Sequence, residues 1–401
     1  MSIQRKPSKF EQTIILSPIR TYIKAKYNIS VEKNETIGLK GPYIVLSNHV
    51  NNWDPLFINC FVEEPLCFVA AAPLFRNKFL KKVLDYAGAI SKTKQKNDMG
   101  TIRSMLAAKK HNRSVALFPE GNRNWNGHSD DIIYATAKLV KLLNIPVVIA
   151  TIKGGYLSNP RWAATNRKGK MTISFEKKWD IDAFSDIEVE DVYKLLNDAI
   201  KFDEIAWNEQ QKIPFYGKGL ANYLERYLFT CPCCKNIGTM HSDNDLFMCT
   251  SCQYKVRYNA YGWLEQVEGD LKFKYLKDWN DWQLQYLAEQ SSQTSFNEKL
   301  FSAMKDEVEL SISEDDAPYV KHGLTTISWK NDALHICSSQ SNINLSIPFR
   351  ELEGLNVHMH NKLDFFLGNK LIRLNFHHPR TSAYKWHKLI SLYQTKEEVH
   401  A

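Results

Sequence analysis

Between residues 43 and 175, short apolar runs alternate with longer amphipathic stretches, and this alternation limits the fold more than any other feature of the chain. Tyr43-Ile44-Val45-Leu46, Leu66 to Ala70, Ala89-Ile90, Val115-Ala116-Leu117-Phe118, Pro146 to Ile152 and Met171 to Phe175 read as strands. The stretches near 76–87, 99–111 and 131–143 read as helices. Strands and helices in alternation predict a layered α/β domain with a largely parallel sheet. In such sheets, functional loops gather beyond the carboxyl ends of the strands. Two polar runs sit at such ends: Asn48-His49-Val50-Asn51-Asn52-Trp53-Asp54 and Phe118-Pro119-Glu120-Gly121-Asn122-Arg123.

At 401 residues the chain exceeds one ordinary core, so two or three domains are expected. An apolar content of 44% with ten Trp places it among globular proteins. No run approaches the roughly eighteen uncharged apolar residues of a membrane span. Met1-Ser2-Ile3-Gln4-Arg5-Lys6 lacks the apolar core of a secretory signal. The expectation is a cytoplasmic protein, soluble or peripheral on the cytoplasmic face of a membrane. Its net charge of +8 is concentrated, with eleven Lys or Arg between residues 73 and 113 against Asp85 and Asp98. A basic surface of this kind suits an anionic membrane surface or a phosphate-bearing carrier, although solvated helix faces carry similar charge. No nucleic-acid-binding motif accompanies it, so no nucleic acid is expected.

Ser17-Pro18 predicts a helix start, with Ile19, Tyr22, Ile23 and Tyr27 on one face and Arg20, Lys24 and Lys26 beside it. This amphipathic helix suits either a headgroup layer or the domain core. Helices are expected near 190–211 and 216–228, before the cysteines. Trp279, Trp282 and Tyr286 mark a further helix, and residues 307–376 alternate as short strands before a closing helix from about Ser382 to Tyr393. Antiparallel strands closed by one C-terminal helix are similar in outline to pleckstrin-homology-like domains. The expected organisation is 1–225, an α/β domain with an N-terminal amphipathic helix; 226–263, a metal ribbon; 264–305, a helical linker; and 306–401, a β-rich domain.

His49 and Asp54 supply a base and the carboxylate that orients it, provided the chain bends between them. A histidine, with an ordinary pKa near 6.5, is suited to removing a hydroxyl proton, a contribution worth roughly 10²–10⁴-fold. A carboxylate partner fixes its tautomer and stabilises the imidazolium. Asn51-Asn52 favours the turn, and Pro55 suits the first turn of a helix. In the second run, Gly121 allows close backbone approach and Arg123 can fork onto a phosphate. Glu120 would repel a phosphate, so it is expected to orient Arg123 or to accept from a substrate hydroxyl or a backbone N–H.

The order and wording of these runs resemble the motifs of the glycerolipid acyltransferases, the lysophosphatidic acid acyltransferases in particular. Phe118 to Arg123 is similar to that family's Phe-Pro-Glu-Gly-Thr-Arg run, with Asn122 where Thr is usual and Asn124 where Ser is usual. Gly88-Ala89-Ile90-Ser91-Lys92-Thr93-Lys94 sits where the family has an acceptor-binding run, with Lys92 or Lys94 in place of Arg. Ile145-Pro146-Val147-Val148-Ile149 looks like its fourth, apolar motif. The resemblance implies a catalytic pair His49 and Asp54, and substrate binding by Glu120, Gly121, Arg123, Lys92 and Lys94. It implies transfer of an acyl group from acyl-CoA or acyl carrier protein to a lysophospholipid, most simply 1-acyl-glycerol 3-phosphate. Other lysolipid acceptors stay open. So does a lipid-binding scaffold that recruits partners through its C-terminal half, although a binding module would not need both polar pairs.

Cys231-Pro232-Cys233-Cys234 and Cys249-Thr250-Ser251-Cys252 form two Cys-x-x-Cys knuckles. Cys231, Cys234, Cys249 and Cys252 read as the four thiolate ligands of a structural zinc. Cys233 is spare and His241 lies between the knuckles. Cys60, Cys67 and Cys337 are expected to be packing residues.

Overall fold

The computed structural model describes residues 3–71, 75, 78–92, 99–290, 304–314, 317–330, 332–338 and 343–400. Two compact units emerge: Met1–Pro160 with Asn166–Tyr216, and Arg161–Thr165 with Gly217–Ala401.

The first unit is an α/β layer structure. Its elements are α1 (Lys9–Tyr27), β1 (Ile29–Asn34), β2 (Ile44–Ser47), α2 (Asp54–Asn59), β3 (Cys67–Ala71), α3 (Lys78–Ala87) and β4 (Ile90–Lys92). There follow α4 (Met99–Lys110), β5 (Val115–Leu117), α5 (Ala135–Leu143), β6 (Val147–Lys153), α6 (Gly155–Ser158), β7 (Met171–Trp179), α7 (Val189–Ile200) and α8 (Glu204–Gln211). Among the described residues the strands form one sheet in the order β1-β7-β6-β2-β5-β3-β4. All neighbours run parallel except β6 and β7. The strand cores are apolar on both faces, as in the wholly buried Ile44, Val45 and Leu46 of β2. Such strands need helices on each side. One consequence matters for function: β6, β2, β5, β3 and β4 all end at the same edge.

The N-terminal helix differs from its expected form. It begins at Lys9, because Ser8 and Glu11 make a reciprocal capping box, and Pro18 lies inside it. Ile23 and Tyr27 turn inward, whereas Phe10, Ile14, Ile15 and Tyr22 are exposed. Tyr27 packs edge-on against Phe57 of α2, with ring centroids 4.9 Å apart. The helical stretch near 190–211 is two helices, interrupted at Lys201–Asp203. The stretch 216–228 is turns with one short 3₁₀ segment at Leu224–Arg226, where Tyr223 has φ of 72°.

In the second unit, β8 (Met240–Asp243), β9 (Leu246–Cys249), β10 (Lys255–Tyr258) and β11 (Leu264–Glu268) form an antiparallel sheet. Helix α9 (Leu276–Gln290) is anchored to the preceding segment: Gln283 Oε1 accepts the N–H groups of Phe229 and Thr230 at 3.0 and 3.2 Å. Trp279 Nε1 donates to the Thr230 carbonyl at 2.9 Å. Next come β12 (Lys305–Glu314), β13 (Val320–Lys330), β14 (Ala333–Ser338), β15 (Ile343–Pro348), β16 (Glu353–His358), β17 (Lys362–Leu367) and β18 (Lys370–Phe376). They form an antiparallel sheet in the order β15-β14-β13-β12-β18-β17-β16. Helix α10 (Ala383–His400) follows, and its Tyr393 closes an aromatic cluster with Trp329 and Phe349. This is the expected outline of antiparallel strands completed by one helix. Cys60 and Cys67 are buried as expected, but Cys337 is exposed on its strand and lies 3.4 Å from Asn344 Oδ1.

Candidate active site

The chain is pinned as soon as β2 ends. The buried Asn48 amide spends both functions on β6: Nδ2 donates to the Ile152 carbonyl and Oδ1 accepts the Ile152 N–H, each at 2.9 Å. The backbone then turns around Asn51, whose side chain accepts the Trp53 N–H at 3.1 Å and whose carbonyl accepts the Asp54 N–H at 3.2 Å. Asp54 opens α2, with Pro55 behind it.

Asp54 has no solvent exposure. Its Oδ2 lies 2.8 Å from each of His49 Nδ1, Val50 N and Asn51 N. Two backbone donors on one oxygen make that oxygen an acceptor, so Nδ1 of His49 carries a proton and donates it. The ring is fixed on its face as well, stacked on Phe118 with centroids 4.3 Å apart, and Phe118 in turn on Phe68. The His49 side chain keeps 22% of its surface exposed. The arrangement is a tautomer-fixed imidazole that stays accessible at the functional edge of the sheet.

The second polar run comes to the same place from the end of β5, but two of its side chains turn inward. Glu120 is buried; its Oε1 accepts the His49 N–H at 2.8 Å and its Oε2 the Asp130 N–H at 2.9 Å. Burial pushes its carboxyl up to about 8, against the pull of those two N–H donors. Of the partners considered for Glu120, the structure shows backbone N–H groups, not Arg123. Arg123 donates from Nε to the Val50 carbonyl at 3.2 Å and from Nη2 to the Asn159 carbonyl and Oδ1 at 3.0 and 3.3 Å. Burial lowers its pKa and the nearby Asp54 charge opposes that shift. In this arrangement Nε and Nη2 of Arg123 hold protein oxygens.

Gly121 has φ of 74°, a conformation that disfavours a side chain, and an added Cβ would lie 2.8 Å from Ile133 Cδ1. Asn124 closes the turn, accepting the Gly127 N–H at 3.2 Å through Oδ1 while its own N–H reaches the His49 carbonyl at 3.1 Å. Lys92 ends β4 on the same sheet edge, three strands from β2. With strands about 4.8 Å apart, that is roughly 14 Å. Lys94 lies outside the described residues. Sequence reasoning missed a second histidine–carboxylate pair, His128 Nε2 to Asp203 Oδ2 at 2.8 Å, and the buried Glu204 beside it. Neither carries a local signal, because the partners are far apart in the chain.

In the second unit the four cysteines converge. The sulfurs of Cys231, Cys234, Cys249 and Cys252 all lie within 4.8 Å of one another. Cys231 and Cys252 are 3.6 Å apart, Cys234 and Cys249 3.7 Å. A tetrahedral site with metal–sulfur bonds of about 2.3 Å requires sulfurs roughly 3.8 Å apart, so the donor set fits a divalent ion. Cys233 is exposed.

Residues 28–153 match the family described as Acyltransferase. Among curated proteins, the 1-acyl-sn-glycerol-3-phosphate acyltransferase of Streptococcus pneumoniae is 24% identical over 162 residues, which cover 40% of this chain and 55% of that protein. The protein of the same name from Borreliella burgdorferi is 26% identical over 188 residues, covering 44% and 71%. The chain thus spans about half the length of the first of these relatives. The crystal structure of the 1-acyl-sn-glycerophosphate acyltransferase PlsC from Thermotoga maritima aligns with a TM-score of 0.43 at 20% identity, over 52% of this chain and 85% of that one. Residues 28–153, which carry His49 and Asp54, are thus similar to the acyltransferase family. Within that family, the likeness is to the 1-acyl-sn-glycerol-3-phosphate acyltransferases.

The raised Glu120 carboxyl gives this site a signature in pH. An acid raised in the fold contributes stability that is complete below its ordinary value of 4.5 and lost as pH rises through about 8. Relative to Glu120→Gln, the wild type should therefore lose melting temperature between pH 5 and 8.5. Thermal melts across that range check this, and a difference that stays constant with pH would refute the assignment.

Proposed function

We propose that this protein transfers a fatty acyl group from an acyl thioester to the free hydroxyl of a lysophospholipid, 1-acyl-glycerol 3-phosphate giving phosphatidic acid. The observation that carries this reading is the His49–Asp54 bond, held at the accessible edge of the sheet by three donors on one oxygen. With Nδ1 committed to Asp54, Nε2 is the basic atom. It takes the hydroxyl proton as the oxygen attacks the thioester carbonyl, and Asp54 stabilises the imidazolium. The tetrahedral intermediate then expels the thiolate, which recovers the proton from Nε2. A thioester is already activated, so no covalent enzyme intermediate is required. Glu120 and Arg123 act by holding the His49 loop. The basic run that includes Lys92 supplies the charge for the acceptor phosphate.

A lipid acceptor calls for a lipid-facing surface, and α1 offers one beside α2. Its outward face exposes Phe10 at 74%, Ile14 at 56% and Tyr22 at 54%, next to Lys24 and Lys26. We assign this face to an anionic membrane surface, with apolar side chains at the acyl boundary and lysines among the headgroups. No described helix is long and apolar enough to cross a membrane.

We also assign zinc to the four-cysteine site. Four thiolates leave no open position, so the ion's role is to hold together the β8–β11 segment, which is too small for a core of its own.

Three outcomes test these assignments. Purified wild type should acylate lysophosphatidic acid from acyl-CoA or acyl carrier protein, with products identified by mass. His49→Ala should lose at least about 10²-fold and Asp54→Asn a comparable amount. A folded His49→Ala variant at wild-type rate would end the mechanism. Elemental analysis should find one zinc per chain, and Cys249→Ser should lose the ion and lower the melting point. A metal-free but equally stable wild type would remove the structural role. In flotation assays, Phe10→Ser with Ile14→Ser should weaken binding to vesicles containing anionic lipid, and unchanged binding would place the contact elsewhere.

A further inference from the structure

We propose that Glu204, which lies outside the stretch matched by the family, is a positioning residue for His49. The inference rests on the acyltransfer reading for its kinetic consequences and on geometry alone for its placement. Glu204 has no solvent exposure, and its carboxylate is spent on the start of the short α6. Oε1 accepts the Leu157 N–H at 2.7 Å and Oε2 the Tyr156 N–H at 3.2 Å. It makes no ion pair among the described residues, and burial pushes it up to about 8. Burying an acid is costly unless its oxygens are satisfied, so this group fixes α6 by necessity.

What α6 fixes in turn is the His49 loop. Gly155, its first residue, lies so close to Val50 that an added Cβ would sit 2.5 Å from Val50 Cγ2. Asn159, just past its end, receives Arg123 on both its carbonyl and its side chain, and Arg123 reaches on to the Val50 carbonyl. Val50 lies between His49 and Asn51, and its own N–H is one of the three donors on Asp54. The α6 turn therefore holds the middle of the loop from two directions.

The backbone of Glu204 closes the circuit on the other side. Its N–H donates to the Gly127 carbonyl at 2.9 Å and Ser129 N–H donates to the Phe202 carbonyl at 3.0 Å. His128 and Asp203 join across the same short bridge. The segment so held leads directly to Asp130, whose N–H rests on Glu120. One acid thus braces both α6 and the run that follows the Phe118–Arg123 turn, and both meet at His49.

Glu204→Gln keeps the shape but replaces one acceptor with an NH₂ group facing an N–H. Gly155→Ala instead pushes directly on Val50. Both should lower kcat by about tenfold or more, since displacement of a catalytic group by an ångström can cost as much as 10²-fold. KM for the acyl donor should stay within about twofold of wild type. Both should also move the ¹H–¹⁵N signals of the His49 imidazole, identified by their loss in His49→Gln. Those signals report position whether or not the protein turns over lysophospholipid, so failure of the functional reading and failure of this one are separable. Should Glu204→Gln and Gly155→Ala not fold, Asn159→Ala at a half-buried position tests the last link and should move the same signals. Folded variants with wild-type kcat and unmoved His49 signals would overturn the proposal.

Discussion

A carboxylate taken wholly out of water has to be surrounded by donors, and Asp54 is the group around which the first unit is arranged. An unpaired charge in such a place would cost several kcal/mol. Here the imidazole N–H of His49 and two successive backbone N–H groups meet on one oxygen. Such convergence is possible only if the chain doubles back between residues 49 and 54. The Asn51 turn bends it, the Asn48 clamp on Ile152 fixes where the bend begins, and α2 fixes where it ends. Arg123 adds a positive charge near Asp54 while tying Val50 to Asn159. Orientation of the imidazole is thus a by-product of satisfying one oxygen of a buried acid.

That hierarchy explains what was legible in the sequence. The strands were readable because each is an apolar run several residues long, and their ends placed His49 and Glu120 on one edge before any geometry was known. The bend from His49 to Asp54 was readable because its signals, Asn51-Asn52 and Pro55, are local. The convergence of the four cysteines was readable because paired Cys-x-x-Cys knuckles are a local spacing signal. Glu120 and Arg123 were legible as residues but not as geometry: their partners at Asp130, Val50 and Asn159 are set by tertiary packing. Glu204 left no trace, since nothing local distinguishes an acid that will be buried from one that will face water. The start of α1 was misread for a different reason. Ser17-Pro18 is a sound helix opening taken alone, but the capping box at Ser8 and Glu11 nucleates the helix earlier, and Pro18 is carried within it.

The inward turn of Glu120 and Arg123 has a physical cause. In a parallel sheet, loops from neighbouring strands crowd together at one edge, and polar side chains there compete between ligand and neighbouring backbone. Glu120 accepts the N–H groups of His49 and Asp130, and satisfying buried donors takes precedence over reaching outward. Arg123 faces carbonyls left over from the Val50 bend and the end of α6. Residues at the outer strands of such an edge are less crowded. Lys92 at the end of β4 is in that position, and Asn122 and Asn124 mark a turn closed by hydrogen bonds of its own.

The same burial sets opposing demands on pH. An imidazole can take up a proton only when it is neutral, so a base of this kind is favoured by rising pH. The acids that brace its loop behave the other way. Glu120 and Glu204 are both raised to about 8 by burial, so the folded loop holds more protons than the unfolded chain above the ordinary value of 4.5, and stability falls as pH rises toward 8. The backbone donors on these acids moderate the conflict by pulling both groups back toward ionisation. A loop braced by amides or apolar side chains would escape the pH penalty. It would lose the paired acceptors that hold the His49 N–H, the Asp130 N–H and the start of α6 in register.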